Sequence, residues 1–249
     1  ITIVEGKYTR DHTERMINYF GGKVNSIKKE VKNYITLSNK KMDKEHTHYV
    51  VAGDFSSSAF IIVAALISNQ ADILIKNVGI NETRSGLINV LKEMNGDIQI
   101  LNKRNQCNEE VADIRVRSSK LKGIEVPTWV IPNIIDEIPI LAVIATQAEG
   151  KTIIRGAEEL RVKESDRIES ILFNLRNMGA IVEEFNDGFS IEGPSKLNGT
   201  TIRTFGDHRI AMAFTIAGLV ANGETTLDNY ECIDISFPEF FNTLRNIIK

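Results

Sequence analysis

Cysteine is scarce. Cys107 and Cys232 are the only two in 249 residues, and they sit in unlike contexts. That excludes a disulfide framework and leads us to expect a reducing, cytoplasmic setting. Cys232 has no histidine near it in sequence, so it reads as a buried, inert thiol rather than a nucleophile. Positive charge is not in excess either. The net charge is −3, which points away from nucleic-acid and membrane partners. No uninterrupted apolar run approaches the roughly 18 residues of a membrane span. The longest candidate, Ala59 to Ile67, reads as a buried helix. His46 and His48 lie in a lysine-rich loop without a nearby cysteine, so no metal site is expected. No glycine-rich loop of the nucleotide-binding type occurs, and no cofactor is expected. An apolar content of 42% is nonetheless enough for a sizeable core.

What the chain does have is a repeat. Arg10, Arg84 and Arg167 each open an amphipathic helix, and each is followed twelve residues later by glycine: Gly22, Gly96 and Gly179. A strand follows each glycine, which is the expected helix stop. A second kind of helix alternates with these. Asp54, Asp136 and Asp207 each precede a helix rich in Ala and Ile with few charges, and a helix apolar all round is a buried one. Aspartate in that position is an N-cap signal. The period is roughly 75–80 residues, which implies stacked α/β units rather than a solenoid. Between the first two units, Ser38 to His48 is polar and reads as a loop.

Two charged stretches carry the chemistry. Leu160-Arg161-Val162-Lys163-Glu164-Ser165-Asp166-Arg167 has no apolar pattern; on a helix, Lys163 and Arg167 would share one face, with carboxylates interleaved. Gly206-Asp207-His208-Arg209 stands at the mouth of the apolar run Ile210 to Phe214, where a helix N-terminus favours anions. A solvated, ion-paired helix face would account for either stretch alone. Together they suit a small polyanion that must exchange a proton.

These stretches resemble the 5-enolpyruvylshikimate-3-phosphate synthase family. Three further segments join the resemblance, in order: Tyr8-Thr9-Arg10-Asp11-His12-Thr13-Glu14-Arg15-Met16, Gly53-Asp54-Phe55-Ser56-Ser57-Ser58-Ala59 and Ile135-Asp136-Glu137-Ile138-Pro139. The resemblance implies an α/β fold of repeated βαβαββ units with helices inside and sheets outside, as in enolpyruvyl transferases and RNA 3'-terminal phosphate cyclases. It implies that the chain, opening on Ile1, is somewhat more than the C-terminal half of the family's sequence. Residues 1–51 would be the last unit of an N-terminal-side domain, and 52–249 about three units of a C-terminal-side domain. The family's Lys-Ser loop, Ser-Ser-Gln turn and one phosphoenolpyruvate-binding arginine would belong to a further N-terminal segment, the partner that completes the site.

The implied reaction moves the enolpyruvyl group of phosphoenolpyruvate to the 5-hydroxyl of shikimate 3-phosphate. Carried over residue by residue, Asp136, Glu164 and Lys163 are the catalytic candidates, with Asp136 the proton acceptor. Arg167 and Arg209 would bind phosphoenolpyruvate; Asp136, Lys163, Glu159, Thr9 and Arg10 would meet shikimate 3-phosphate; His208 would support. Thr9 replaces the usual Ser, His12 a Tyr, Glu159 an Asn and Ile235 a Lys, so the Ile235 position loses a phosphate contact. Asp54 is expected to stay a structural cap and Arg84 to be a surface cation. The five residues Lys163, Arg167, Arg209, Asp136 and Glu164 are expected on one face, and loss of Arg167 is expected to leave folding nearly intact. The transferase acting on UDP-N-acetylglucosamine shares the fold but lacks the Leu160–Arg167 pattern. A non-catalytic, anion-binding half is the alternative of another class.

Overall fold

A computed structural model describes residues 1–6, 9–30, 32–38 and 48–247. Tyr8 of the first motif and residues 39–47 of the polar loop, His46 included, lie outside the described residues.

The chain runs through four related units. The first holds β1 (Thr2–Glu5), α1 (His12–Tyr19), β2 (Val24–Lys29) and β3 (Lys32–Leu37), whose sheet is ordered β1-β3-β2. The second holds α2 (Phe55–Ile67), β4 (Asp72–Gly79), α3 (Gly86–Glu93), β5 (Asp97–Gln106) and β6 (Glu109–Arg117), with sheet order β4-β6-β5. The third begins with α4 (Ile131–Ile134) and α5 (Ile138–Ala145). It continues through β7 (Gly150–Ile154), α6 (Arg167–Asn177), β8 (Ile181–Phe185) and β9 (Gly188–Gly193), in the same order β7-β9-β8. The fourth has β10 (Thr201–Ile202), α7 (His208–Gly218), β11 (Thr226–Leu227) and α8 (Phe240–Ile247), with β10 and β11 parallel.

The apolar helices lie inside. All eight residues of α5 are buried, and α2 is buried from Phe55 to Leu66 apart from Ser57. Neither helix carries a charge, so neither has a face that prefers water. With α7 they pack on one another at the centre of the molecule. The sheets lie outside, and β5 alternates exposed with buried residues over its first half. The amphipathic helices α3 and α6 turn one apolar stripe inward, Ile168, Ile171, Leu172 and Leu175 in α6. Helix α1 buries no residue, and the first unit meets the second through polar contacts. Asp11 accepts from Asn81 Nδ2 at 2.7 Å, and His12 Nδ1 lies 2.7 Å from Glu109 Oε1.

Two expectations are refined here. Helices α1, α3 and α6 end alike, but the residue with positive φ is Gly21 (79°), Asn95 (72°) and Gly179 (88°). Each next residue, Gly22, Gly96 and Ala180, returns a 2.8–2.9 Å bond to the carbonyl five residues back, closing a Schellman turn. Gly22 and Gly96 are therefore one place past the left-handed position. Gly96 is needed for space, because a Cβ there would stand 2.8 Å from the Leu91 carbonyl oxygen. The second refinement concerns apolar length. Thr128 to Ala145 forms 18 helical residues with mean hydropathy 1.5, long and apolar enough to cross a membrane by length and composition, and 72% buried inside the protein. The charged pair Asp136-Glu137 divides it in sequence, which is why no uninterrupted run is visible there.

The central packing makes a quantitative statement. Leu141→Ala, at a fully buried site in α5, should cost about 3 kcal/mol in chemical denaturation. Leu101→Ala on β5, 36% exposed, should cost under about 1 kcal/mol.

Candidate anion-binding and proton-transfer site

Helix starts build the site. Asp166 caps α6 by accepting the Glu169 N–H at 3.0 Å, which makes Arg167 the first residue of that helix. Asp207 caps α7 through the Arg209 N–H at 2.9 Å, which places His208 and Arg209 in its first turn. Asp54 caps α2 through the Ser57 N–H at 2.7 Å, as expected from sequence. Asp136 breaks the pattern. It sits in a 3-10 turn, Ile135–Glu137, wedged between α4 and α5, and caps nothing. Its carboxylate is turned outward to cations instead.

Four guanidinium groups surround that carboxylate. Arg10 donates to Oδ2 in a very short contact, and Arg84 Nη1 donates to the same oxygen at 3.2 Å. Arg209 Nη2 stands 3.8 Å from Oδ2, and Arg167 Nη1 stands 3.5 Å from Oδ1. Arg209 also donates to the Asp136 carbonyl oxygen at 3.1 Å. Arg167 is 1% exposed; its Nε donates to Asp207 at 2.8 Å and its Nη2 to Glu164 at 2.6 Å. Its Nη1 has no hydrogen-bond partner among the described residues. Beside Asp136, the buried Glu137 accepts from the Ser56 hydroxyl in a very short contact, and its Oε2 is unpartnered.

The charges follow from this geometry. Burial pushes the Asp136 carboxyl up, but Arg209, Arg10 and Arg84 overcome it and hold the group well below the usual carboxylate range. Asp207 is likewise held low against its burial by the hydrogen bond from Arg167. Glu137 goes the other way: burial dominates over Arg84 and Ser56, and the carboxyl is pushed up. Two adjacent carboxyls thus differ in proton affinity, the arrangement that separates an ionised from a protonated acid. Burial and the neighbouring Arg209 pull His208 down, which favours a neutral imidazole.

Of the residues expected to converge, Asp136, Glu164, Arg167 and Arg209 are joined by direct contacts, and Arg10 joins them from the first unit. Lys163 is not helical, so the spacing of four does not put it on a helix face with Arg167. The Asp166 cap starts the helix only at Arg167, so Lys163 has extended backbone and pairs with Glu159. Thr9 donates to Glu5 at 3.0 Å. Ile235 is exposed and Cys232 buried. Arg84 overturns an expectation. It is no surface cation: its side chain is 14% exposed, and its Nη2 donates to Ser56 at 2.6 Å. The repeat held a signal, since Arg84 stands just before the N-cap of α3 as Arg10 does before that of α1. Ser56 and Glu137 gave none, because burial of a hydroxyl against a carboxyl leaves no periodic trace.

Comparison with known proteins gives concordant results. The family model described as EPSP synthase (3-phosphoshikimate 1-carboxyvinyltransferase) matches residues 1–244. The 3-phosphoshikimate 1-carboxyvinyltransferase of Petrotoga mobilis is 49% identical over 98% of this chain and 57% of its own length. That of Thermodesulfovibrio yellowstonii is 48% identical over 100% and 57%. The chain thus spans little more than half the length of the curated relatives it matches. EPSP synthase from Acinetobacter baumannii superposes with a TM-score of 0.91 at 40% identity, over 99% of this chain and 56% of that one. The enolpyruvyl transferase NikO from Streptomyces tendae, 17% identical with a TM-score of 0.75, shares the fold.

Burial at this site corrects the expectation that Arg167 is dispensable for folding. Arg167→Ala would strand the fully buried Asp207 carboxylate, so it should cost about 3–5 kcal/mol in a denaturant melt at neutral pH. Asp207 has a depressed folded-state pKa. Its contribution is therefore present above about pH 4 and lost as pH falls toward the lowered value. Glu137 has the opposite sign. A raised carboxyl favours the folded state at low pH and loses that advantage as pH rises from about 4 through the raised value. Glu137→Gln should therefore gain stability relative to the parent between about pH 4 and 7, read from paired melts.

Proposed function

Because the chain belongs to the EPSP synthase family, we propose that it supplies the C-terminal-side portion of a site transferring the enolpyruvyl group of phosphoenolpyruvate to the 5-hydroxyl of shikimate 3-phosphate. The single observation that carries this reading is the Asp136 carboxylate inside its shell of four guanidinium groups. Both substrates are polyanions, and buried or half-buried arginines at helix starts are ready-made donors for phosphate and carboxylate.

In this reading Arg167 and Arg209 receive phosphoenolpyruvate, and Asp136 meets the shikimate hydroxyl. Lys163, Glu159, Thr9 and Arg10 meet the rest of shikimate 3-phosphate, and His208 supports from the first turn of α7. Four nearby cations make Asp136 a weak base in the empty site. Anionic substrates that take up those cations raise its basicity as they arrive, so proton abstraction is coupled to occupancy. In the same reading Glu164, with its side chain 52% exposed and bonded to Arg167, takes up a proton and delivers it to the methylene carbon. The tetrahedral intermediate then collapses with loss of phosphate and removal of a methyl proton, and the two carboxylates exchange roles.

We further propose the division into residues 1–51 and 52–249, supported by the absence of buried residues in α1 and by the polar contacts of the first unit with the second. A segment N-terminal to this chain would close the other side of the site, and a cytoplasmic compartment is consistent with the free Cys107 and buried Cys232.

The test is a phosphate-release assay on the chain alone and with the family's N-terminal segment restored. We expect little turnover alone and recovery on completion; full turnover by the 249-residue chain would refute the incomplete-site reading, and binding without turnover in either form would favour an anion-binding module. In the completed protein, Asp136→Ala should lower kcat by roughly 10²–10⁴-fold. Asp54→Ala should cost about 1 kcal/mol of stability as a lost cap, with a smaller effect on rate.

A further inference from the structure

Arg10 and Arg84 each stand one residue before the N-cap of their helix and Arg167 one residue after its own, and all three reach one carboxylate, that of Asp136. The family resemblance gave a role to the first and third and none to the second. Yet Arg84 is braced at both ends of its fork. Its Nη1 donates to Asp136 Oδ2 at 3.2 Å, its Nη2 donates to the Ser56 hydroxyl at 2.6 Å, and Asp54 Oδ1 lies 3.7 Å away. Ser56 and Asp54 are both fixed by the first turn of α2, Asp54 as its cap. The Ser56 hydroxyl spends its own proton on Glu137, so the Arg84 N–H meets a free lone pair. One planar fork thus ties the rigid start of a central helix to the turn that carries Asp136.

A side chain held from behind by two groups and pointing a single N–H at a carboxylate is built to fix an angle. A charge needed only for balance would not require it. Arg10, Arg167 and Arg209 already supply three cations. Arg10 comes from the first unit and its side chain is 41% exposed. Arg167 is committed to Asp207 and Glu164, and Arg209 to the Asp136 carbonyl oxygen. Arg84 is the cation whose remaining contacts all lie on α2.

We propose that Arg84 is a positioning residue of this site: braced by Ser56 and Asp54, it holds the Asp136 carboxylate in the orientation from which that group meets the substrate hydroxyl. The consequence for rate rests on the enolpyruvyl-transfer reading; the geometric link does not. The charged groups facing Asp136 are Arg10 ahead of α1, Arg84 between β4 and α3, Arg167 on α6, Arg209 on α7 and Glu137 on its own turn. Removing Arg84 leaves the other cations in place, so Asp136 stays ionised at neutral pH but is free to turn.

Two measurements test this. The first uses the 249-residue chain and a double-mutant cycle of Arg84→Gln with Asp136→Asn, read as unfolding equilibrium constants. A coupling of about fivefold or more is expected for a direct link, and one below about twofold overturns the proposal. The second uses the completed protein. Arg84→Gln should lower kcat about 10–100-fold, with KM for both substrates within about threefold of the parent. The acid limb of its kcat profile should move to higher pH. Arg84→Lys, which keeps the charge but not the fork, should restore the acid limb and not the rate. If Arg84→Gln does not fold, Arg84→Lys carries the kinetic test alone. An unchanged kcat, or a loss confined to KM, overturns the positioning role. A parent protein without turnover refutes the functional reading, and the cycle then decides the inference by itself.

Discussion

The buried pair of Arg167 and Asp207 is the constraint on which the site depends. A fully buried aspartate and an arginine 1% exposed are tolerable only because each completes the other: two guanidinium nitrogens meet the two oxygens, at 2.8 and 3.3 Å. The pair also fixes two helix starts at once, since Asp207 caps α7 while Arg167 opens α6. Everything nearer to solvent is hung on that joint. Arg209 is oriented by the first turn of α7, and Glu164 by its bond to Arg167. Asp136 is enclosed between them.

Charge separation is the second consequence. Asp136 and Glu137 are neighbours in sequence, yet the 3-10 turn sends one carboxyl toward four cations and buries the other beside Ser56, 3.8 Å from Arg209. An α-helix would also have separated them by direction. The turn does more, placing the boundary between solvent and core between two consecutive residues. The apolar stretch Thr128 to Ala145 is buried because it forms the wall behind that boundary, and its interruption at Asp136 is the opening toward the site.

Much of this was legible in the sequence, and the reasons differ by element. The central helices announce themselves because a charge-free run such as Phe60 to Leu66 has no polar face to offer water. The caps at Asp54 and Asp207 follow from local chemistry within four residues; the Asp166 cap of α6 is seen only in the structure. Asp136 carries the same sequence signal as those two and is not a cap, because Pro139 and the preceding turn take over the start of α5. Lys163 was misplaced for a related reason: spacing of four implies a shared face only where the backbone is helical, and Asp166 delays the helix. Arg84 was misjudged because its partners, Ser56 and Asp136, lie 28 and 52 residues away. The repeat contained part of that answer, since Arg84 stands before its helix as Arg10 does.

The convergence of several units on one carboxylate alters what kind of repeat protein this is. In a linear array each repeat touches only its neighbours, so an end can fray without disturbing the middle. Here the arginines of four units share a single hub, and the aspartates of two units share Arg167. No unit can leave without withdrawing a charge from the common centre. A change in any one unit is therefore felt at the common centre.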